Sequence, residues 1–387
     1  MPSESSPLSL YLHIPFCSTK CSYCAFNTYT HLEHLIQSFV DALAREVEIV
    51  GRGQPVATIF FGGGTPSLLT PRQFEIVFDA IYKCFDMLPD AEISLEANPN
   101  DLDRTYLTAL RQVGFNRLSI GMQTVNPNEL KLFNRRHDND AVARAMSAAR
   151  GAGFENVNLD LIYGFPHQTM ESWETTLQQM LHLKPEHISL YALGLEDGTA
   201  MKAWVETGRL PAPDDDLAAD MYELASELLA RHGYDQYEIS NWSLPGRECR
   251  HNLQYWLNLP YVGLGPGAHG YANGVRYSVI LSPQRYIKLM EEDTRQHEFP
   301  YSPVTDQAEI IGRDGEISET LIMGLRLTQR GIDRHIFAER FGADLLDIHG
   351  GTIQRFADHG LLSVDDERVR LTEPGRLLSN VIFRELV

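Results

Sequence analysis

The stretch Tyr11-Leu-His-Ile-Pro-Phe-Cys17-Ser-Thr-Lys-Cys21-Ser-Tyr-Cys24 decides how the rest of the chain is read. Its first residues complete an apolar, strand-like run, Leu8–Ile14, and its last eight place three cysteines on one short loop. Only 5 cysteines occur in 387 residues. An odd number with this crowding points to metal ligation in a reducing compartment rather than to disulfides. Three thiolates on one loop can hold three irons of a [4Fe–4S] cube and leave the fourth open to a ligand. A closed zinc site is the alternative; it would need a fourth donor, for which His13 is available.

Working outward, strand-like segments alternate with helical ones. The strands are expected at Leu8–Ile14, Ala57–Phe61, Ala91–Glu96, Arg117–Gly121, Asn156–Ile162 and His187–Ala192. The helices are expected at Leu32–Val50, Pro71–Phe85, Asp101–Val113, Ala141–Gly151 and Thr169–Leu183. Strands joined by helices of this length make βαβ units and a parallel sheet. Six in a row predict an α/β fold, a partial (β/α)6 barrel of the TIM type. The cysteine loop then lies at the C-terminal mouth, where barrel sites are built.

The strands alternate in polarity. Ile93 and Leu95 oppose Ser94, Glu96 and Asn98; Leu118, Ile120 and Met122 oppose Ser119, Gly121 and Gln123. Val157, Leu159 and Leu161 oppose Asn158 and Asp160; Ile188 and Leu190 oppose His187, Ser189 and Tyr191. Helices cover the apolar faces, so the polar faces point inward and line a hydrated or ligand-filled lumen. An open antiparallel sheet with one wet face would alternate in the same way, but the connecting helices oppose it.

The chain divides into a barrel over residues 1–300 and a second unit over 306–387. In the second, helices at Gly315–Leu325, Asp333–Phe341 and Leu345–Gly350 precede a hairpin of Leu361–Val364 and Arg368–Leu371, an order that is winged-helix-like. This unit holds ten Lys/Arg against fifteen Asp/Glu. The whole chain has a formal net charge of −19. Both balances oppose a nucleic-acid partner, and no apolar run long enough to span a membrane occurs. Met1–Pro7 lacks the pattern of a secretory signal. A cytoplasmic location is therefore expected; whether the chain forms a homodimer is left open.

CxxxCxxC after a first barrel strand is the signature of radical S-adenosylmethionine (SAM) proteins, and this chain resembles them. The resemblance implies that the open iron of the cluster binds SAM and that reduction cleaves it. The motifs Tyr11–Cys17, Phe61-Gly-Gly-Gly-Thr-Pro-Ser67, Ser119-Ile-Gly-Met-Gln-Thr124, Asp160-Leu-Ile-Tyr-Gly-Phe-Pro166 and Gly263-Leu-Gly-Pro-Gly-Ala-His269 narrow it. Together they resemble the oxygen-independent coproporphyrinogen III oxidase-like (HemN/HemW) branch of that family. In this branch Gly63, Gly64 and Thr65 match the glycine motif at the methionyl end of SAM. Tyr11, Glu96, Gln123, Arg135 and Asp160 match positions that contact SAM.

Three features separate the two kinds of protein in that branch. The oxidases read CxxxCxxCxC, where this chain has Phe26 at the last position. They also carry an N-terminal extension, for which the sixteen residues before Cys17 are too few. Finally, His251-Asn-Leu-Gln-Tyr255-Trp256 matches the HNxxYW motif of the haem-binding members. The resemblance therefore implies a haem chaperone that carries a cluster and SAM, binds haem through His251, Asn252, Tyr255 and Trp256, and passes it to haem-dependent proteins. Coproporphyrinogen III oxidation in porphyrin biosynthesis is the alternative. An iron–sulfur regulator, suggested by the winged tail, is a third. Whether the chain is an enzyme stays open. Read without the resemblance, His251–Trp256 is an amphipathic strand or turn with His251 at the surface. Cys249 is another candidate haem ligand, and Cys84 reads as a small buried apolar residue.

Overall fold

The computed structural model describes residues 6–386. Six strands follow in chain order: β1 (Leu8–Ile14), β2 (Pro55–Gly63), β3 (Asp86–Ala97), β4 (Arg117–Gln123), β5 (Val157–Tyr163) and β6 (His187–Ala192). Each pairs in parallel with the next. Between them lie α1 (Ile36–Val50), α2 (Pro71–Cys84), α3 (Arg104–Val113), α4 (Pro127–Leu132), α5 (Asn139–Gly151) and α6 (Met170–His182). This is the partial barrel that the βαβ alternation predicts.

Capping side chains set the helix starts. Thr70 and Gln73 form a reciprocal capping box at α2, and Asp103, Asp138 and Thr169 cap α3, α5 and α6. Each satisfies a backbone N–H that the first turn leaves without a partner. The expected start of the third helix at Asp101 is corrected by this device. Pro99–Asp101 is a separate 3-10 turn, and the helix begins after the Asp103 cap.

The apolar faces of the strands are buried under the helices. Leu10, Leu12, Ile59, Phe61, Leu95, Leu118 and Leu159 meet Phe39, Leu43, Phe74, Val77, Leu107 and Leu177 in one core. Each such side chain contributes about 1.5–3 kcal/mol on burial. The opposite faces of the same strands line the lumen.

The sheet is larger than its six predicted strands. The chain continues through α7 (Ala200–Glu206), α8 (Asp215–Arg231), β7 (Asp235–Glu238), β8 (Asn241–Ser243), α9 (Arg250–Trp256), β9 (Tyr261–Leu264), β10 (His269–Ala272), β11 (Val275–Val279), α10 (Pro283–Glu292) and β12 (Thr305–Ile310). β8 and β7 extend the β6 side in antiparallel fashion, whereas β9 joins β1 in parallel and leads to β10, β11 and β12. The sheet has twelve strands and does not close: β7 and β12 are its two margins.

After the sheet come α11 (Arg313–Leu325), β13 (Ile332–Asp333), α12 (Arg334–Phe341), α13 (Leu345–Asp358), β14 (Leu362–Val364), β15 (Arg368–Leu371) and two short helices, α14 (Glu373–Leu377) and α15 (Ser379–Arg384). Helices followed by a hairpin give the winged-helix-like arrangement. Their core is separate and includes Leu321, Leu325, Phe337, Ile353, Phe356 and Val369. The expected end of α13 at Gly350 is wrong by two turns, because the helix runs through Gly350 and Gly351 to Asp358. Two glycines cost a helix about 2 kcal/mol relative to alanine. Burial of Ile353 and Phe356 in that core offsets the loss.

This terminal unit is tied to both flanks of the open sheet. Arg326 reaches Glu238 at 3.3 Å and Thr328 donates to the Gln236 carbonyl at 2.5 Å, both on β7. On the other side Glu319 pairs with Arg276 of β11 at 2.6 Å. Among the described residues no helix is long and apolar enough to cross a membrane.

Candidate functional site

The cysteine loop leaves β1 and is pinned by partners distant in sequence. Asn27 donates to the carbonyls of Pro266 and Leu281, each at 2.9 Å. Ser22 donates to the Leu132 carbonyl at 2.8 Å, and Asn134 to that of Lys20 at 2.9 Å. Two donors address the sulfurs. Thr65 Oγ1 lies 3.3 Å from Cys17 Sγ, and Arg135 Nη1 lies 3.5 Å from Cys21 Sγ. Burial raises the thiols of Cys17 and Cys24. A bound metal reverses that by taking the thiolate.

Among the described residues no three His, Cys, Asp or Glu side chains converge on a point suited to one metal ion. His13, the spare donor for a closed zinc site, is otherwise engaged. Its Nε2 meets the Asn27 carbonyl at 2.9 Å and its Nδ1 the Tyr11 hydroxyl at 3.0 Å. A cube takes each thiolate at a different corner, so three separated sulfurs beside a roomy cavity suit it better.

That cavity has a volume of about 580 Å³ and occupies the barrel mouth. Its lining brings Cys17, Cys21 and Cys24 together with Gly63, Gly64, Thr65, Glu96, Gln123, Arg135 and Asp160. Tyr11 does not reach it. Arg135 follows α4 and turns inward, unlike its exposed neighbour Arg136, which pairs with Asp101 at 3.1 Å. Gln123 has φ 59° at a break in the β4–β5 register and so leaves the simple alternation. Gln123 Oε1 and Arg135 Nε are buried without a partner, as expected of groups that hold a ligand.

Successive N–H groups in a glycine turn of this kind would suit a ligand carboxylate if they were free. All three are taken: Gly63 donates to Glu96 Oε2 at 3.0 Å, Gly64 to the Ile14 carbonyl at 2.8 Å and Thr65 to the Phe16 carbonyl at 2.8 Å. Gly63 is required because its φ is 106° and a Cβ would stand 2.4 Å from the His13 ring. Gly63→Ala is therefore expected to destabilise the apoprotein by more than about 1 kcal/mol, measured as a lowered thermal midpoint.

Glu96 and Asp160 approach each other across the lumen. Burial first, then the Asp160 charge, pushes the Glu96 carboxyl up to about 7. Asp160 is also raised by burial, against the pull of hydrogen bonds from Ser119 at 2.9 Å and Asn158 at 2.8 Å.

Beneath this cavity lies a smaller chamber of about 180 Å³. Its walls include Tyr11, Phe60, Glu96, Arg117, Asp160, His251, Asn252 and Tyr255. The hexapeptide from His251 is thus part of a helix, α9, rather than a strand or turn, and His251 is 1 % exposed instead of at the surface. Glu92 fixes the helix start by accepting the N–H groups of Arg250 at 3.2 Å and His251 at 3.1 Å.

Both nitrogens of His251 are engaged, Nδ1 with Thr58 Oγ1 at 2.7 Å and Nε2 with the Tyr255 hydroxyl at 2.8 Å. Its ring stacks on Phe60 with centroids 5.1 Å apart. Burial holds this imidazole neutral, with its pKa lowered to about 3. Trp256 stands apart from the chamber, under the Arg326 guanidinium at 4.4 Å. The four residues therefore form no open apolar platform. Cys249, the other candidate ligand, is fully buried and meets Glu92 at 3.6 Å.

Sequence reasoning missed Arg117, Phe60 and Glu92, and placed Gly121 on the inward face without giving it a role. Arg117 shares the inward parity of Ser119 and Gly121, so the alternation rule pointed to it. Gly121 leaves no Cβ where Gln123 and Arg135 approach, at 2.7 and 2.8 Å from that position. Nothing in the local sequence signals the long-range roles of Phe60 or Glu92.

Residues 11–180 match the radical SAM superfamily and residues 313–378 the HemN C-terminal domain. The heme chaperone HemW of Bacillus subtilis is 38% identical over 379 residues, covering 97% of this chain and 98% of that protein. HemW of Lactococcus lactis is 35% identical over 381 residues, covering 98% and 97%. The mitochondrial radical S-adenosyl methionine domain-containing protein 1 of mouse is 36% identical over 381 residues, covering 96% and 86%. Among solved structures, the radical SAM enzyme coproporphyrinogen III oxidase (HemN) of Escherichia coli superposes with a TM-score of 0.84 at 26% identity, over 98% of this chain and 90% of that one. Radical SAM membership implies a [4Fe–4S] cluster and SAM, which the mouth cavity and its cysteine loop suit. With similarity running from the cysteine loop to the terminal helices, the chain belongs to the HemW family of radical SAM proteins.

Proposed function

We propose that this protein is a haem chaperone that binds haem and delivers it to haem-dependent proteins. The observation that carries the reading is its similarity, across 97% of its length, to a protein named for that role. Phe26 supports it over the oxidase alternative. It replaces the fourth cysteine of the oxidase pattern and stands at the mouth of the cavity, 67% exposed.

In this reading Cys17, Cys21 and Cys24 ligate the cluster, which supplies an open iron and a reducing electron to SAM. The Arg135 guanidinium beside Cys21 offsets the negative charge gathered there. The engaged N–H groups of Gly63, Gly64 and Thr65 leave that turn its acceptor oxygens, so it suits the ammonium of SAM rather than its carboxylate. Gln123, Arg135, Glu96 and Asp160 supply polar contacts around the rest of the molecule, and Tyr11 acts from below through His13.

For haem, His251 ligates iron only after giving up Thr58 or Tyr255. As placed, it is a structural imidazole. His251→Ala is accordingly expected to leave the Soret band of the haem complex in position while lowering stability by about 1–3 kcal/mol for the partners it strands. A shifted Soret band would instead show that α9 opens and that this imidazole is the axial ligand.

The function is tested on anaerobically reconstituted protein, assayed in parallel for haem binding, haem transfer to an apo-haemoprotein and coproporphyrinogen III turnover. Stable haem binding and transfer without turnover is expected. Conversion of coproporphyrinogen III to protoporphyrinogen IX would replace the chaperone reading with the oxidase.

A further inference from the structure

Among the described residues, Arg117 is the one lumen cation that the site described above does not use. It lies on β4, 2% exposed, with its Nε buried and without a partner. Among the described residues no ion pair or side-chain hydrogen bond engages its guanidinium, although Glu92 and Asp160 lie within reach of its field. Its cross-strand neighbour Ser94 holds a second buried polar group with no partner, its hydroxyl. A buried guanidinium N–H with no acceptor costs a hydrogen bond, and that cost is relieved where a ligand oxygen arrives. The group lines the 180 Å³ chamber, which shares Glu96, Ser119, Asp160 and Tyr191 with the cavity above. The two spaces therefore meet at one neck inside the barrel.

We propose that this chamber is a carboxylate site, with Arg117 as the recognising cation. A guanidinium presents two parallel N–H groups that match the two oxygens of a carboxylate. The chamber is too small for a macrocycle yet large enough for a carboxylated side arm or a small free acid. Glu96 and Asp160 in the shared wall disfavour more highly charged anions such as phosphate. The same chemistry comes from two sources, a propionate arm of a porphyrin seated above the neck or a free small acid. The first of these rests on the haem reading given above.

The test uses the full-length wild-type protein with Arg117→Met and Arg117→Lys. Each is titrated with haem and with haem dimethyl ester, whose arms carry no charge. Each is also unfolded thermally in acetate and in chloride at equal ionic strength. If the carboxylate is a porphyrin arm, the wild type binds haem about tenfold or more tightly than the ester, the worth of one charge-assisted pair. Arg117→Met then loses the preference with its ester affinity unchanged, and Arg117→Lys keeps part of it. If the source is a free acid, acetate raises the wild-type midpoint above that in chloride and Arg117→Met does not respond. The wild type alone can overturn the proposal, even where a variant fails to fold. Equal affinity for haem and ester together with equal midpoints in acetate and chloride means the chamber holds water only, and leaves haem delivery standing. Failure of haem to bind at all removes the haem reading, while the acetate comparison still decides the chamber.

Discussion

Replacing Cys17, Cys21 and Cys24 together with Ala is expected to leave anaerobically reconstituted protein colourless, its iron and sulfide falling from about four of each per chain to near zero. Each single substitution should lose most of the colour, because a cube held by two thiolates exposes two irons. Cys84→Ala and Cys249→Ala serve as controls. Cys84 ends α2 on the outer layer, and Cys249 lies below the lumen floor beside Glu92. Neither lines the mouth cavity, so both variants should retain full iron. Retention of iron and sulfide by the triple variant would remove the cluster assignment and every inference about SAM built on it.

Glu96→Gln is expected to stabilise the apoprotein at pH 8 and to do little at pH 5. A carboxyl raised from 4.5 to about 7 holds its proton more tightly in the folded state than in the unfolded one. The folded state is therefore penalised once the unfolded group has ionised. The penalty grows as pH rises from about 4.5, is complete above about 7, and vanishes again toward acid pH. At 1.36 kcal/mol per unit it amounts to about 3 kcal/mol at most. Glutamine keeps an oxygen to accept the Gly63 N–H and carries no charge. Thermal midpoints of the two proteins across this range should diverge with rising pH, and parallel curves would show that Glu96 titrates normally. The same variant should bind SAM more weakly, a trade of function for stability at a site built around a ligand.

The sequence made the barrel legible because its two periodicities are local. Helical stripes and two-residue alternation are readable within a dozen residues, and the facing rule placed Glu96, Asp160 and Ser119 on the lumen side. Two kinds of feature escaped it. One is long-range pairing: β9 joins β1 in parallel across most of the chain, and short antiparallel strands such as Asn241–Ser243 carry too few residues for a period. The other is compensation. α13 continues through two glycines because of residues beyond them, and the glycine turn spends its N–H groups on the protein itself. The hexapeptide from His251 shows the limit best. Its residue types suit haem, but only the fold shows its histidine enclosed between Thr58, Phe60 and Tyr255.

The anchoring of the cysteine loop bears on the order in which a nascent chain acquires its metal. The three thiols emerge from the ribosome well before the segments that anchor their loop. The carbonyls that fix Asn27 belong to residues 239 and 254 positions later, and β9, which flanks β1, is made just before them. Until those segments exist the sulfurs ride on an unanchored loop beside a half-built wall. The cysteines are thus synthesised before their frame, and a chain that stalls before Tyr261 carries all three thiols without the wall and the carbonyls that hold their loop in place.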